Sequence, residues 1–149
     1  MTLRQEVEAH IDNNIVEWVD ETIGFYCRDF AEIAGLPRHI TDSIHTEKTG
    51  FMEAEVRNDL ERLTDSGVIP LGKFLNSGWG KGGYDIHVRW ANALTWIDDF
   101  GRRKFAKKVR HPGFEGYHFM EDGKDVGLPL LRIKVKQEIA VARKWVWEE

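Results

Sequence analysis

Between Gly101 and Met120 the chain reads GRRKFAKKVRHPGFEGYHFM. Two histidines, His111 and His118, follow closely behind Arg102, Arg103, Lys104, Lys107, Lys108 and Arg110. Asp98, Asp99 and Glu115 lie nearby in sequence. These residue types can do three kinds of work. A histidine beside cations that hold a scissile phosphate can move protons in a metal-independent nuclease. Cations interleaved with Phe105 and Tyr117 can hold nucleic acid by charge and stacking without cutting it. The same cations can dock onto an acidic protein surface.

Other chemistry is poorly served. Histidines seven apart across a Pro-Gly pair, with Asp98, Asp99 and Glu115, do not make a metal-ligand spacing, and no HExxH, cysteine pair or calcium loop is present. No metal and no other cofactor is expected. Cys27 lies between Tyr26 and Arg28 inside a helical pattern, which suits a small core residue better than a nucleophile. Ser77 lacks the GxSxG setting. The glycines of GWGKGG lack the GxxxxGK[ST] spacing of a phosphate loop. His87 falls on the polar face of an alternating strand, where exposure to solvent is the ordinary role.

The 149 residues match one ordinary domain, and 42% hydrophobic content can fill a core. A net charge of -4 argues against wrapping nucleic acid with the whole surface. A single cysteine excludes an internal disulfide and points to a reducing setting. The acidic, polar start does not read as a signal peptide, and no apolar run approaches the roughly 20 residues of a membrane helix. Charge is unevenly placed: residues 1 to 35 hold eight acids and two bases, while 102 to 110 hold six bases and no acid. Six tryptophans are many for this length, and tryptophan is enriched at interfaces. Trp79 and Trp96 are the candidates for contact surfaces.

The elements that must position these groups follow from apolar periodicity. Leu3, Val7, Ile11, Ile15 and Trp18 mark an amphipathic helix. A second helix has Phe25 or Tyr26, Phe30 and Ile33 on one side and should end at Gly35 and Pro37. Met52, Val56, Leu60 and Leu63 predict a third helix over about 51–65, closed by Ser66-Gly67. The period then shifts to two: Tyr84, Ile86, Val88 and Trp90 alternate with polar residues and predict a strand. Asn76-Ser77-Gly78 and Lys81-Gly82-Gly83 read as turns. Ala91 to Phe100 suits a strand or a short helix, and Phe105 and Val109 suit short edge strands or a loop. Beyond Gly127-Leu128-Pro129, Leu131, Val135, Ile139, Ala142 and Val146 predict a closing helix. The expected architecture is one α+β domain: N-terminal helices, a small antiparallel sheet between about 68 and 120, and a C-terminal helix.

The order of several short motifs carries a resemblance. Pro70, Gly72, Leu75 and Ser77 stand where a proline and a Thr-Gly-x-Leu-x-x-Ser turn would follow a helix, with one extra residue and no threonine. Ala93, Trp96, Ile97, Asp98 or Asp99, and Gly101 fall on a Tyr-Ala-x-x-hydrophobic-Glu-x-Gly segment that lacks its tyrosine here. His111-Pro112-Gly113 and Tyr117-His118-Phe119-Met120 match a His-Pro-Gly corner and the aromatic segment after it. In this order, over about residues 51 to 147, the chain resembles the tail-completion or head–tail joining family of long-tailed bacteriophages, which includes tail terminators and minor capsid proteins. Residues 1 to 50 would then be a helical extension and 51–149 the family-like core.

The resemblance implies a structural protein without catalysis. Copies would form a ring, commonly hexameric, in contact with the tail tube protein and a head connector or stopper protein. They would reside in the virion neck after assembly in the host cytoplasm, with no membrane. Arg102, Arg103, Lys104, Lys107, Lys108 and Arg110, with Trp79 and Trp96, would face a subunit interface or a lumen through which DNA passes. His111, Pro112 and Gly113 would form the corner that fixes the exit of the basic segment. The alternative is a nucleic-acid-binding protein or a metal-independent nuclease using residues 102–110 with His111 and His118.

Overall fold

Thr2 starts the first helix with a capping box. Its hydroxyl accepts the Gln5 N–H at 3.2 Å, and the Gln5 side chain accepts the Thr2 N–H at 2.9 Å. Two donors that a helix start leaves unpaired are thereby satisfied. In the structure, a computed structural model, α1 spans Leu3–Val19 and continues through a π-helical segment, Asp20–Gly24, into α2, Phe25–Ile33. All residues are described except Met1, Ser66, Lys81, 88–91 and Glu149; the side chains of Tyr84 and 145–148 also lie outside the described residues. The expected strand positions Val88 and Trp90, and the tryptophans at 145 and 147, fall in that group.

The chain is α+β and forms two compact units: Met1–Asn76 with Tyr117–Glu149, and Ser77–Gly116. In the larger unit, Gly35 closes α2: its φ of 86° turns the chain so that the next N–H, of Leu36, reaches back to the Ala31 carbonyl at 3.2 Å. The face of α2 differs from expectation. Cys27 and Ala31 are buried, whereas Phe25 and Ile33 are exposed. The π-helical turn adds a residue to the local repeat and rotates the following apolar face. A short helix, α3, covers Arg38–Thr41.

The expected third helix is replaced by strands. β1, Ile44–Gly50, pairs antiparallel with β2, Glu53–Asn58, so that Ile44 faces Asn58 and Thr46 faces Val56. The turn between them contains the boundary expected at residue 50, and part of the expected helical extension is therefore strand. Met52 and Val56 are four apart, which suits a helix, but Ala54, Val56 and Asn58 alternate inward from Glu53, Glu55 and Arg57. Packing of that face overrides the helix preference of Glu, Ala and Arg. β3, Arg62–Thr64, pairs with β4, Gly67–Ile69. Gly67 is left-handed, as expected, but it serves this hairpin and not a helix end. α4, Leu71–Ser77, takes in Asn76 and Ser77, which had read as a turn; the turn begins at Gly78, with φ of 82°.

α5 spans Phe119–Glu148 and begins ten residues before Pro129. Its glycines do not end it. A β-carbon at Gly123 would run into Cys27, and one at Gly127 would lie 2.6 Å from the Ile23 α-carbon. The glycines therefore let α5 pack backbone-close to the π-helical segment and α2, and that packing holds a helix that propensity alone would break. Phe119, Cys27, Ala31 and Ile44 are nearly inaccessible and form the centre of the core. The α5 start is held from outside: Asn76 accepts the Met120 N–H at 2.9 Å and donates to Glu121 at 3.1 Å. Asn76 thus caps the helix from another element. Among the described residues no helix is long and apolar enough to cross a membrane.

The smaller unit is built from two antiparallel pairs, one inside the other in sequence. β5, Tyr84–His87, pairs with β8, Lys108–His111, and β6, Leu94–Ile97, pairs with β7, Arg103–Ala106. The ambiguous stretch thus includes a strand, and Phe105 and Val109 lie on strands. Trp79 and Phe114 exchange two backbone hydrogen bonds of 2.8 Å, with ring centroids 4.7 Å apart.

Candidate functional site: a basic hairpin with exposed apolar side chains

The alternation of a strand assigns the basic residues to two faces of a ribbon. Arg103 lies opposite Ile97, Lys104 opposite Trp96, Lys108 opposite His87 and Arg110 opposite Asp85. Arg102 ends the β6–β7 loop, and Lys107 lies between β7 and β8. Asp98 organises that loop. Its carboxylate accepts the N–H groups of Phe100 at 3.0 Å and Arg102 at 2.8 Å, and its own N–H donates to the Arg102 carbonyl at 2.9 Å. Gly101, with φ of 76°, closes the turn by donating to the Asp98 carbonyl.

Two carboxylates engage four of the six bases. Asp98 lies 3.6 Å from Arg102 and 3.9 Å from Lys104; Asp85 lies 3.3 Å from Lys108 and 3.4 Å from Arg110. Arg110 also donates to the Gly82 carbonyl at 2.9 Å. The Lys108 hydrogen bond, reinforced by Arg110, holds the Asp85 carboxyl below its ordinary range. Arg103 and Lys107 have no ion-pair partner among the described residues. A surface made to grip phosphates gains from unpaired cations. This ribbon shares two carboxylates among four of its six bases and keeps a surplus of positive charge.

The ribbon instead exposes large apolar groups. Phe100 is 81% exposed, Ile97 67%, Phe105 63% and Trp96 41%. All lie on or between β6 and β7. Apolar side chains concentrated in one exposed place mark interaction surfaces. Arg102 covers part of Phe100, its guanidinium 5.3 Å from the ring centroid. Trp96, paired with Lys104, lies on the opposite face of the ribbon from Ile97 and Phe105. Trp79 lies outside these strands, with its ring against Phe114.

The His-Pro-Gly corner has a structural role in the smaller unit. His111 is the last residue of β8, in keeping with the extended conformation that a following proline favours. Its Nδ1 accepts the Gly113 N–H at 3.0 Å. Gly113 has φ of 78°, and a β-carbon there would run into the Gly80 carbonyl. The proposed acid–base set is divided: Asp98, Asp99, His111 and Glu115 belong to the smaller unit and His118 to the larger. Asp98 is committed to its turn and His118 lies beside α5, where its N–H donates to the Asn76 carbonyl at 2.9 Å.

Two features of the larger unit were not singled out from sequence. His45, Glu47 and Asp59 bring three ligand-type groups within 4.8 Å of one another. His45 Nδ1 donates to the Ser43 carbonyl at 2.9 Å, and Nε2 lies 2.9 Å from Glu47 and 3.7 Å from Asp59. The Ser43 carbonyl, then Glu47 and Asp59, raise the imidazole pKa. Arg57 also binds Glu47 at 3.0 Å and Glu55 at 3.2 Å. The cluster is thus served by a proton and a guanidinium, both of which compete with a metal cation. The His-x-Glu spacing was the available signal: in a strand it places both side chains on one face.

The second feature is an apolar cleft of about 550 Å³. Val19, Ile23, Cys27, Val56, Met120, Leu128 and Leu131 line it, with exposed Glu55, Glu121 and Lys124 contributing polar groups. Cys27 is 1% exposed, and burial pushes its thiol pKa up to about 11. It is a core residue in a setting that disfavours the reactive thiolate. The cleft was hidden from sequence because its walls come from the π-helical segment, β2 and α5, and β2 had read as helix. No protein-family model matches the chain, and no curated protein and no solved structure is similar enough to count as a match.

Proposed function

We propose that this chain is a non-catalytic ring subunit of a bacteriophage neck, a tail-completion or head–tail joining protein. The supporting observation is the division of charge and apolar surface between its two units. Residues 77 to 116 carry eight bases and four acids, a net of +4. The remaining residues carry thirteen bases and 21 acids, a net of -8. A closed ring needs two different, complementary patches on each subunit. A basic ribbon with exposed Ile97, Phe100 and Phe105 on one unit, and an acidic surplus on the other, suit that need. The tail tube protein and a head connector or stopper protein are the further proposed partners. DNA would pass the ring only transiently, because Asp85 and Asp98 temper the basic ribbon.

The direct test is electron microscopy of virions assembled without this protein. Unjoined heads and tails, restored by adding the purified chain, are expected. Intact, sealed and infectious particles would refute the neck role. A parallel assay for metal-independent cleavage of RNA and DNA tests the nuclease alternative. Activity lost in His111→Ala or His118→Ala would favour that alternative.

A further inference from the structure

We infer that the β6–β7 hairpin of one copy inserts its apolar tip into the α5–β2 cleft of the next copy, a head-to-tail contact. This deepens the ring reading and rests on it. Phe100 and Ile97 are large apolar groups left open to water, and their burial would be favourable by the ordinary apolar-area effect. The cleft is apolar on its inner walls, and about 550 Å³ falls within the range of pockets that enclose sizeable ligands. Charge selects the occupant. Arg103, next to the tip, has no ion-pair partner among the described residues, and at the cleft Glu55, which shares Arg57, and Glu121 outnumber Lys124. The two units that would meet carry net charges of +4 and -8. A second copy thus supplies both the apolar tip and the matching sign.

The two surfaces are different, so each subunit can give one contact and receive one. The test exploits this by mixing. The hairpin variant carries Phe100→Asp and Phe105→Asp; the cleft variant carries Ala54→Trp, which fills the cleft from β2. Glu55→Lys, an exposed reversal, serves as a second cleft variant should Ala54→Trp fail to fold, and circular dichroism checks each. Sedimentation velocity should show wild type self-associating and each variant at least about tenfold weaker, as removal of a central apolar anchor usually causes. An equimolar mixture of hairpin and cleft variants should form dimers that do not grow, through the one junction that remains intact.

Undiminished self-association of the hairpin variant would overturn the inference and leave the ring reading standing. A mixture no more associated than its components would do the same. Wild type that stays monomeric both alone and on added tails would overturn both. Wild type that stays monomeric but binds a short DNA duplex through Phe100 and Phe105 would replace the contact with a nucleic-acid surface.

Discussion

The two units are held by different forces. Every fully buried apolar side chain among the described residues, from Ile15 to Phe119, belongs to the larger unit. In the smaller unit none of the described residues is fully buried. Its order comes from strand ladders, the Asp98 turn, and glycines that permit close backbone contact. Two-stranded hairpins with little buried apolar surface are marginal in water. The larger unit therefore resembles a scaffold, and the smaller one a contact element whose exposed apolar groups gain most when a partner covers them.

The sharpest way to break this contrast is to place bulk at one glycine in each unit. Gly127→Leu should cost the larger unit about 3 kcal/mol or more, because α5 would have to move away from Ile23. Loss of the main thermal transition, or insoluble expression, is the expected result. Gly113→Val should disrupt the smaller unit, since its β-carbon meets the Gly80 carbonyl and its φ is unfavourable for valine. It should leave the main thermal transition within a few degrees of wild type. Equal losses from both substitutions would mean that the units unfold as one.

Hydrogen exchange reads the same contrast without mutation. Amides in β6 and β7 should exchange at least about 100-fold faster than those in α5 and β1, because local opening of the hairpin exposes little apolar surface. In a preparation assembled on tails, the hairpin amides should slow while those of the α5 core change little. Hairpin amides already as protected as α5 in the free monomer would remove the argument that the smaller unit needs a partner.

Asn76 supplies a smaller effect, at the start of α5. Asn76→Ala removes the acceptor for the Met120 N–H and the donor to Glu121 in a buried position. A loss of about 1–3 kcal/mol in urea unfolding is expected, the cost of an unmade buried hydrogen bond. Asn76→Asp should recover part of it, because its carboxylate keeps the acceptor. If it does not recover any, the Glu121 contact dominates.

These residues also show what sequence can convey. The stripe from Leu3 to Trp18 and the helix end at Gly35 are local signals, and the structure follows them. So is the strand at Tyr84 to His87, although Ile86 on its apolar face is exposed. The failures are non-local. Gly127 read as a boundary before the helix because its benefit depends on Ile23, more than 100 residues away. β2 read as helix because its strand partner lay in a polar stretch without an apolar pattern of its own. The basic residues were visible, but not their pairing with Asp85 and Asp98, which depends on strand register and turn geometry. The ribbon's exposed Phe100 and Phe105 were equally invisible, because composition does not distinguish an apolar side chain that packs from one that waits for a partner.

The smallest expected effect concerns pH and the β1–β2 hairpin of the larger unit. His45 gains a carbonyl and two carboxylates on folding, so its folded pKa lies above its ordinary value of 6.5. Protonation is therefore tighter in the folded chain than in the unfolded one. The contribution to stability is full below the unfolded pKa and disappears as pH rises through the folded value. The imidazole is 40% exposed, and screening by water keeps the gain below about 0.5 kcal/mol. His45→Gln should remove that slope and leave stability at pH 9 nearly unchanged. An NMR titration of the His45 ring should give an apparent pKa above 6.5, and Glu47→Gln should lower it. A midpoint at or below 6.5 would show that Glu47 and Asp59 do not hold the proton, and zinc binding at His45 would then become the better account of the cluster.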